Sequence, residues 1–206
     1  SSSTVVIRLP LLALDELTRA MQRGWAERRR LKFTRIQLER GAGAEQPMVT
    51  ARGRGSLATQ RAAAATLVRD LGDDGFTVVR VKIEASPFNA DVPQSATEAE
   101  ALPPGCYFEH HVKLLLTGEA DVTKARDASH PLGGRLSRNA RRHRADGQHE
   151  RFVTQRCYGV GRPEARQHLS ALLSAVAAAG YPAIEVEEEF VVVDDNPALD
   201  HGWIDG

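Results

Sequence analysis

Tyr107-Phe108-Glu109-His110-His111-Val112-Lys113-Leu114-Leu115-Leu116 is the stretch on which the fold turns. Read as extended chain, it puts Glu109, His111 and Lys113 on one face and His110, Val112 and Leu114 on the other. A strand with a titratable side and a largely apolar side belongs to a sheet covered by helices on one face.

The same alternation recurs along the chain. Residues 76–85 carry Val79, Val81, Ile83 and Ala85 on one side and Arg80, Lys82 and Glu84 on the other. In residues 32–40, Thr34, Ile36 and Leu38 oppose Arg35, Gln37 and Glu39. Residues 4–9, 151–158 and 183–193 read as further strands, and 48–52 as a short one. Between them lie helical patterns. Leu14, Leu17, Met21 and Trp25 recur every three or four residues, which predicts an amphipathic helix with that stripe buried, ending in Arg28, Arg29 and Arg30. Ser56 is placed to cap a second helix through Leu71, closed by Gly72. A third runs over residues 163–179, with Leu169, Leu172, Leu173 and Val176 inward. Residues 86–105, with four prolines, read as a crossover, and those between 116 and 151 as a long polar segment.

Composition bounds the setting. The 206 residues suffice for a real core, and 42% hydrophobic with 26% charged is ordinary for a globular chain. Cys106 and Cys157 stand apart without a C-x-x-C pattern, which suits a reducing compartment; cytoplasm is the expected location. The first ten residues lack a charged region followed by an apolar one, so no signal peptide is expected. No apolar run nears the roughly 18 residues of a membrane span. Zero net charge argues against a surface given over to nucleic acid. Charge is nonetheless segregated. From Lys124 to Arg162 there are ten Lys or Arg against three acids, and from Pro163 onward one Arg against nine acids.

Two parts of the chain look alike. Lys32-Phe33 and Arg151-Phe152 each open a strand that passes through a Gly/Arg-rich turn to a helix. Each helix returns through Gly75-Phe76 or Gly180-Tyr181 into a long strand, setting Arg80, Lys82 and Glu84 against Glu185, Glu187 and Glu189. The expected fold is therefore α+β: two fused ferredoxin-like β-α-β halves, mainly antiparallel, with helices on one face. The halves span 1–92 and 106–206, joined by a linker at 93–105.

The uncovered face is where chemistry is expected. Arg35, Arg80, Lys82, Lys113, Arg156 and, from a loop, Arg138 are the candidates for holding an anion such as a phosphate. His111 is the candidate acid or base, with Glu109 and Glu187 to orient it or join it in a metal site, since Glu109 and His111 share a face and one of Glu185, Glu187 or Glu189 would complete the set. Adjacent His110 points the other way and reads as a core residue. The competing reading pairs these charges across strands on a plain wet surface. Two glycine-bearing helix starts, at Arg52–Ser56 and Gly159–Pro163, are candidate anion cradles, though neither is a Walker loop or a dinucleotide fingerprint. The basic run at residues 135–144 suggests RNA contact, but no aromatic is interleaved for stacking. The expectation is binding of a phosphate-bearing or other anionic small molecule; whether it is turned over stays open, and acid–base or metal-assisted chemistry is what an enzyme with this face would use. The alternatives are a ligand-sensing or homodimerising module and an RNA-binding protein. Which metal or cofactor would serve is not legible.

Overall fold

Alternating apolar residues build β1 (Thr4–Pro10), whose Val5, Ile7 and Leu9 are buried in a computed structural model describing residues 4–37, 45–137 and 142–202. The fold is α+β with a mostly antiparallel sheet and five α-helices among the described residues. It divides into two units, Ser1–Ala90 with Val191–Leu199, and Asp91–Phe190 with Asp200–Gly206.

In the first unit β1 is followed by α1 (Glu16–Arg28), β2 (Lys32–Gln37), β3 (Glu45–Arg54), α2 (Leu57–Asp73) and β4 (Lys82–Ala85). The strand order is β2-β3-β1-β4, with Ile7 of β1 opposite Ala51 on one side and Ile83 on the other. Every pairing here is antiparallel. Asp15 caps α1 by accepting from the Thr18 amide at 2.6 Å, and Ser56 caps α2 by accepting from Thr59. Gln22, Trp25 and Ala26 of α1 and Ala64 and Leu71 of α2 are buried, the apolar ones packing with Val5, Ile7, Leu9, Val49 and Ile83. The expected stripe of α1 is thus only partly right: Trp25 is buried, whereas Leu14, Leu17 and Met21 are exposed. Helix α2 ends past Gly72, at Asp74, and Gly75 takes the left-handed turn at φ 86°. β3 is twice as long as the sequence suggests, and β4 is shorter, because residues before Lys82 pair only through an isolated bridge from Val78 to Leu11.

The second unit contains α3 (Ala96–Glu100), β5 (Tyr107–Leu116), α4 (Gly118–Ser129), β6 (Gly134–Leu136), β7 (Arg142–His143), β8 (His149–Tyr158), α5 (Arg162–Ala178) and β9 (Glu185–Asp194), whose last four residues belong to the first unit. The order is β6-β8-β5-β9, with β7 also on β8. Residues 93–105 lie inside this unit and carry α3. The segment read as long and polar contains α4, whose apolar positions are few: Val122 and Ala125 suffice to bury it. Val112, Leu114, Val153, Leu169, Leu172 and Val176 form the core here, so α4 and α5 cover the apolar side of β5 and β8. No helix among the described residues is long and apolar enough to cross a membrane.

Candidate functional site

The pairing of β5 with β8 sets the site. Glu109 lies opposite Arg156, and His111 opposite Thr154, on the side of the sheet away from α4 and α5. Side chains directly opposed in an antiparallel pair are close enough to bond. Arg156 Nε donates to Glu109 Oε2 at 2.8 Å, and the other oxygen, Oε1, stands 3.0 Å from His111 Nε2. His111 Nδ1 is 3.2 Å from the Thr154 hydroxyl. Arg156 is further fixed by the Tyr107 ring, 5.1 Å from its guanidinium carbon, and Phe152 meets the His111 ring edge-on. Glu109 is fully buried, while His111 keeps 18% of its side chain accessible.

Glu189 of β9 completes the group. One ligand atom each from Glu109, His111 and Glu189 lies within 4.8 Å of the other two. Glu187, which the sequence nominated, is not in this cluster; it lies by Glu185, which accepts from Lys113. That lysine holds the Glu185 carboxyl below the usual carboxylate range, with Glu187 adding to the effect. Thr154 was not nominated at all. Its signal is a small hydroxyl directly across from His111, which becomes legible only once the strand register is known.

The neighbouring His110 points to the covered side, as its parity requires. Its Nδ1 is 2.8 Å from Gln155 Oε1, and Gln155 donates onward to the carbonyls of Leu132 and His168. Burial holds the His110 imidazole below its ordinary range against the opposing pull of Gln155.

The nominated cations are engaged by carboxylates. Lys113 pairs with Glu185 and lies 3.8 Å from Glu150. In the first unit Arg80 forms a two-pronged pair with Asp194, at 2.8 and 2.6 Å, and Lys82 meets Glu84, which Arg8 also holds. Arg35 is on the opposite side of its sheet from the one expected: it shares the side of Phe33, packed on the core, and pairs with Glu16 of α1 at 3.2 Å. Arg138 lies outside the described residues.

At each helix start one glycine is packed against the chain itself. A Cβ on Gly53 would stand 1.9 Å from Gln60 Oε1, because the buried Gln60 folds over it to reach the Arg54 carbonyl. A Cβ on Gly161 would lie 2.3 Å from the backbone of Gln94 and Ser95. These two glycines are required by close packing. On the covered side of the second unit, Cys106, Phe108, Cys157 and Phe190 line a cavity of about 20 Å³, room for one water and far below a ligand pocket.

The chain matches no known family model and no curated protein.

Proposed function

We propose that the second unit binds a divalent transition-metal ion through Glu109, His111 and Glu189, and that the ion takes an anionic oxygen ligand, such as a phosphate ester, at its remaining positions. The observation that carries this reading is the 3.0 Å separation of His111 Nε2 from Glu109 Oε1 with a Glu189 oxygen close by. Metal bonds of ~2.0–2.2 Å put neighbouring ligand atoms ~3 Å apart, so the side chains need little rearrangement. Arg156 holds Glu109 by Oε2 with Oε1 turned to His111, and Thr154 fixes the imidazole ring from its far nitrogen, the supporting roles that ligating side chains need.

Charge favours a cation at this place over a bare anion. Over the whole face the charges balance, since Arg135 and Arg142, opposite Thr154 and Glu150, join Arg156, Lys113 and Arg144 against Glu109, Glu150, Glu185, Glu187 and Glu189. At His111 itself two carboxylates, Glu109 and Glu189, meet one cation, Arg156, so an anion gains attraction there only after a divalent ion is bound. A mixed imidazole and carboxylate set suits zinc, nickel or manganese better than calcium or magnesium. Bound there, the ion would polarise a phosphoryl or carbonyl oxygen.

We infer in addition that the two units are copies of one ferredoxin-like β-α-β-β-α-β arrangement. The strand orders β2-β3-β1-β4 and β6-β8-β5-β9 support it, each following the same chain path. So do the matching helix ends, where Phe76 donates to the Leu71 carbonyl and Tyr181 to that of Val176, each after a glycine with positive φ. The equivalence pairs β3, not β2, with β8.

Calorimetric titration of the purified chain with Zn²⁺, Ni²⁺, Mn²⁺ and Mg²⁺ tests the function. One site for a transition metal, with proton release and with binding lost in His111→Ala and Glu189→Gln, is the expected result. Undiminished binding in both variants would overturn it. Inorganic phosphate should bind only to the metal-loaded protein; equal binding without metal would overturn the metal's part in holding the anion.

A further inference from the structure

Helix α1 uses one side for the core and leaves an apolar stripe on the other. Gln22, Trp25 and Ala26 are buried. Leu17 and Met21 are 72% and 55% exposed, and Leu14, just ahead of the cap, is 87% exposed. Leu17, Met21, Gly24 and Arg28 follow a three-four spacing, the seam of a helix that packs along another helix, and Leu14 lies exposed just before the helix begins. Scattered exposed leucines need no explanation, but a continuous seam does. Gly24 sharpens the point. Glycine weakens a helix interior, and here it sits on the seam, where the flexible end of Arg28 lies over it, Nη1 3.3 Å from the position of a Cβ, and has to swing aside for a second backbone to come close.

The charges on this helix say what covers it. Asp15 and Glu16 are exposed at its start, and Arg28, Arg29 and Arg30 at its end. Arg29 is occupied with Trp25 and Asp74, and Arg28 is the cation on the seam. Glu16 pairs with Arg19 and Arg35 in its own chain, but it is 70% exposed, and such exposed pairs are weak enough to be shared with Arg28 of a second copy. A second copy of α1 laid antiparallel would put the acidic start of each helix against the basic end of the other. Met21 would then lie near the axis and Leu17 would face Gly24 of the other copy. Such a surface is complementary to itself under two-fold rotation, and the opposed helix dipoles add to the match.

We infer that α1 is the contact of a symmetric homodimer. A helix of 13 residues is ~20 Å long, so the interface lies at the low end of the size range, below ~1,200 Å² in total, and the dimer is reversible.

Sedimentation equilibrium on the full chain from ~1 to ~500 µM tests this. The wild type should rise with concentration from 22.5 kDa towards twice that mass. Leu17→Glu and Met21→Glu, at exposed positions, should keep the thermal midpoint while weakening association at least ~10-fold. Glu16→Arg and Arg28→Glu should each weaken it, and the double reversal should restore it. A wild type of constant 22.5 kDa, or association untouched by the two Glu substitutions, would overturn the dimer. Failure of the double reversal to restore it would overturn the antiparallel arrangement. If the wild type stays monomeric and instead co-sediments with phosphatidylserine vesicles in a Leu17- and Met21-dependent way, the stripe meets a membrane surface and the dimer is wrong.

Discussion

Arg156 stands directly across the sheet from Glu109 and donates from Nε to Oε2 at 2.8 Å, so one fully buried carboxylate is held by a cation on one oxygen and an imidazole on the other. A buried ion pair adds little net stability over apolar residues of the same size, but removing one partner strands the other.

Arg156→Met should therefore destabilise the protein by ~3–5 kcal/mol, because Glu109 is left charged without its cation. Combining it with Glu109→Met should recover most of that loss. Urea unfolding of the wild type, the two single variants and the double variant measures the cycle. A single variant costing less than ~1 kcal/mol would mean that Glu109 is hydrated or protonated once Arg156 is gone.

The two packed glycines should differ in their tolerance of alanine. At Gly161 the obstacle is backbone, at Gln94 and Ser95, and cannot swing away; Gly161→Ala should cost ~1–3 kcal/mol or more. At Gly53 the obstacle is the end of the Gln60 side chain, so Gly53→Ala should be milder and should improve when Gln60→Ala is added. Thermal unfolding of the three variants decides it, and a Gly161→Ala protein as stable as wild type would contradict the close approach.

His110 gives a pH dependence of definite sign. Its imidazole is held below the ordinary value, so the unfolded chain takes up a proton first as pH falls. Stability present above pH ~6.5 should decline below it. His149, lowered first by burial and then by Arg151 and His143, acts in the same direction. His110→Asn should flatten part of that decline, whatever it does to stability at pH 8. Thermal midpoints taken between pH 5 and pH 8 would show it, and an unaltered slope would remove His110 from the account.

Much of the site was legible because alternation on a strand is local. The sides of Glu109, His110, His111 and Lys113 follow from sequence parity alone, and Arg156 follows from its own strand. What parity cannot supply is how far one strand is slid along another. That offset brings Glu189, and not Glu187, to His111. Arg35 failed for a related reason. Ile36 looked like the inward residue of β2, but Phe33 packs on the core beside Val49, and Arg35 shares its side. For α1 the helical spacing was right and the buried face was wrong, since an amide, Gln22, takes a core position by donating to the Leu12 carbonyl. The hydrophobic pattern could not reveal that exchange. The charge of each arginine and lysine is legible in the sequence, yet their carboxylate partners are distant in it, as with Arg80 and Asp194.

Cys157 makes the last prediction, because its neighbours pull in opposite directions. His168 Nδ1 lies 3.6 Å from the thiol, and Glu164 is 3.8 Å from the other nitrogen of that imidazole, an arrangement that in an open site would favour a reactive thiolate. Burial dominates instead and, with Glu164 adding to it, pushes the thiol up to about 11. The folded value exceeds the unfolded one, so the contribution to stability is intact below pH ~9 and is lost as pH rises from ~9 through ~11, by up to ~3 kcal/mol. Cys157→Ala should remove that alkaline loss. In the native protein at pH 7.5, iodoacetamide should modify the half-buried Cys106 well before Cys157, whose labelling should wait for unfolding. Peptide mapping after timed alkylation separates the two sites. Faster labelling at Cys157 would mean that the contact with His168, and not burial, governs the thiol.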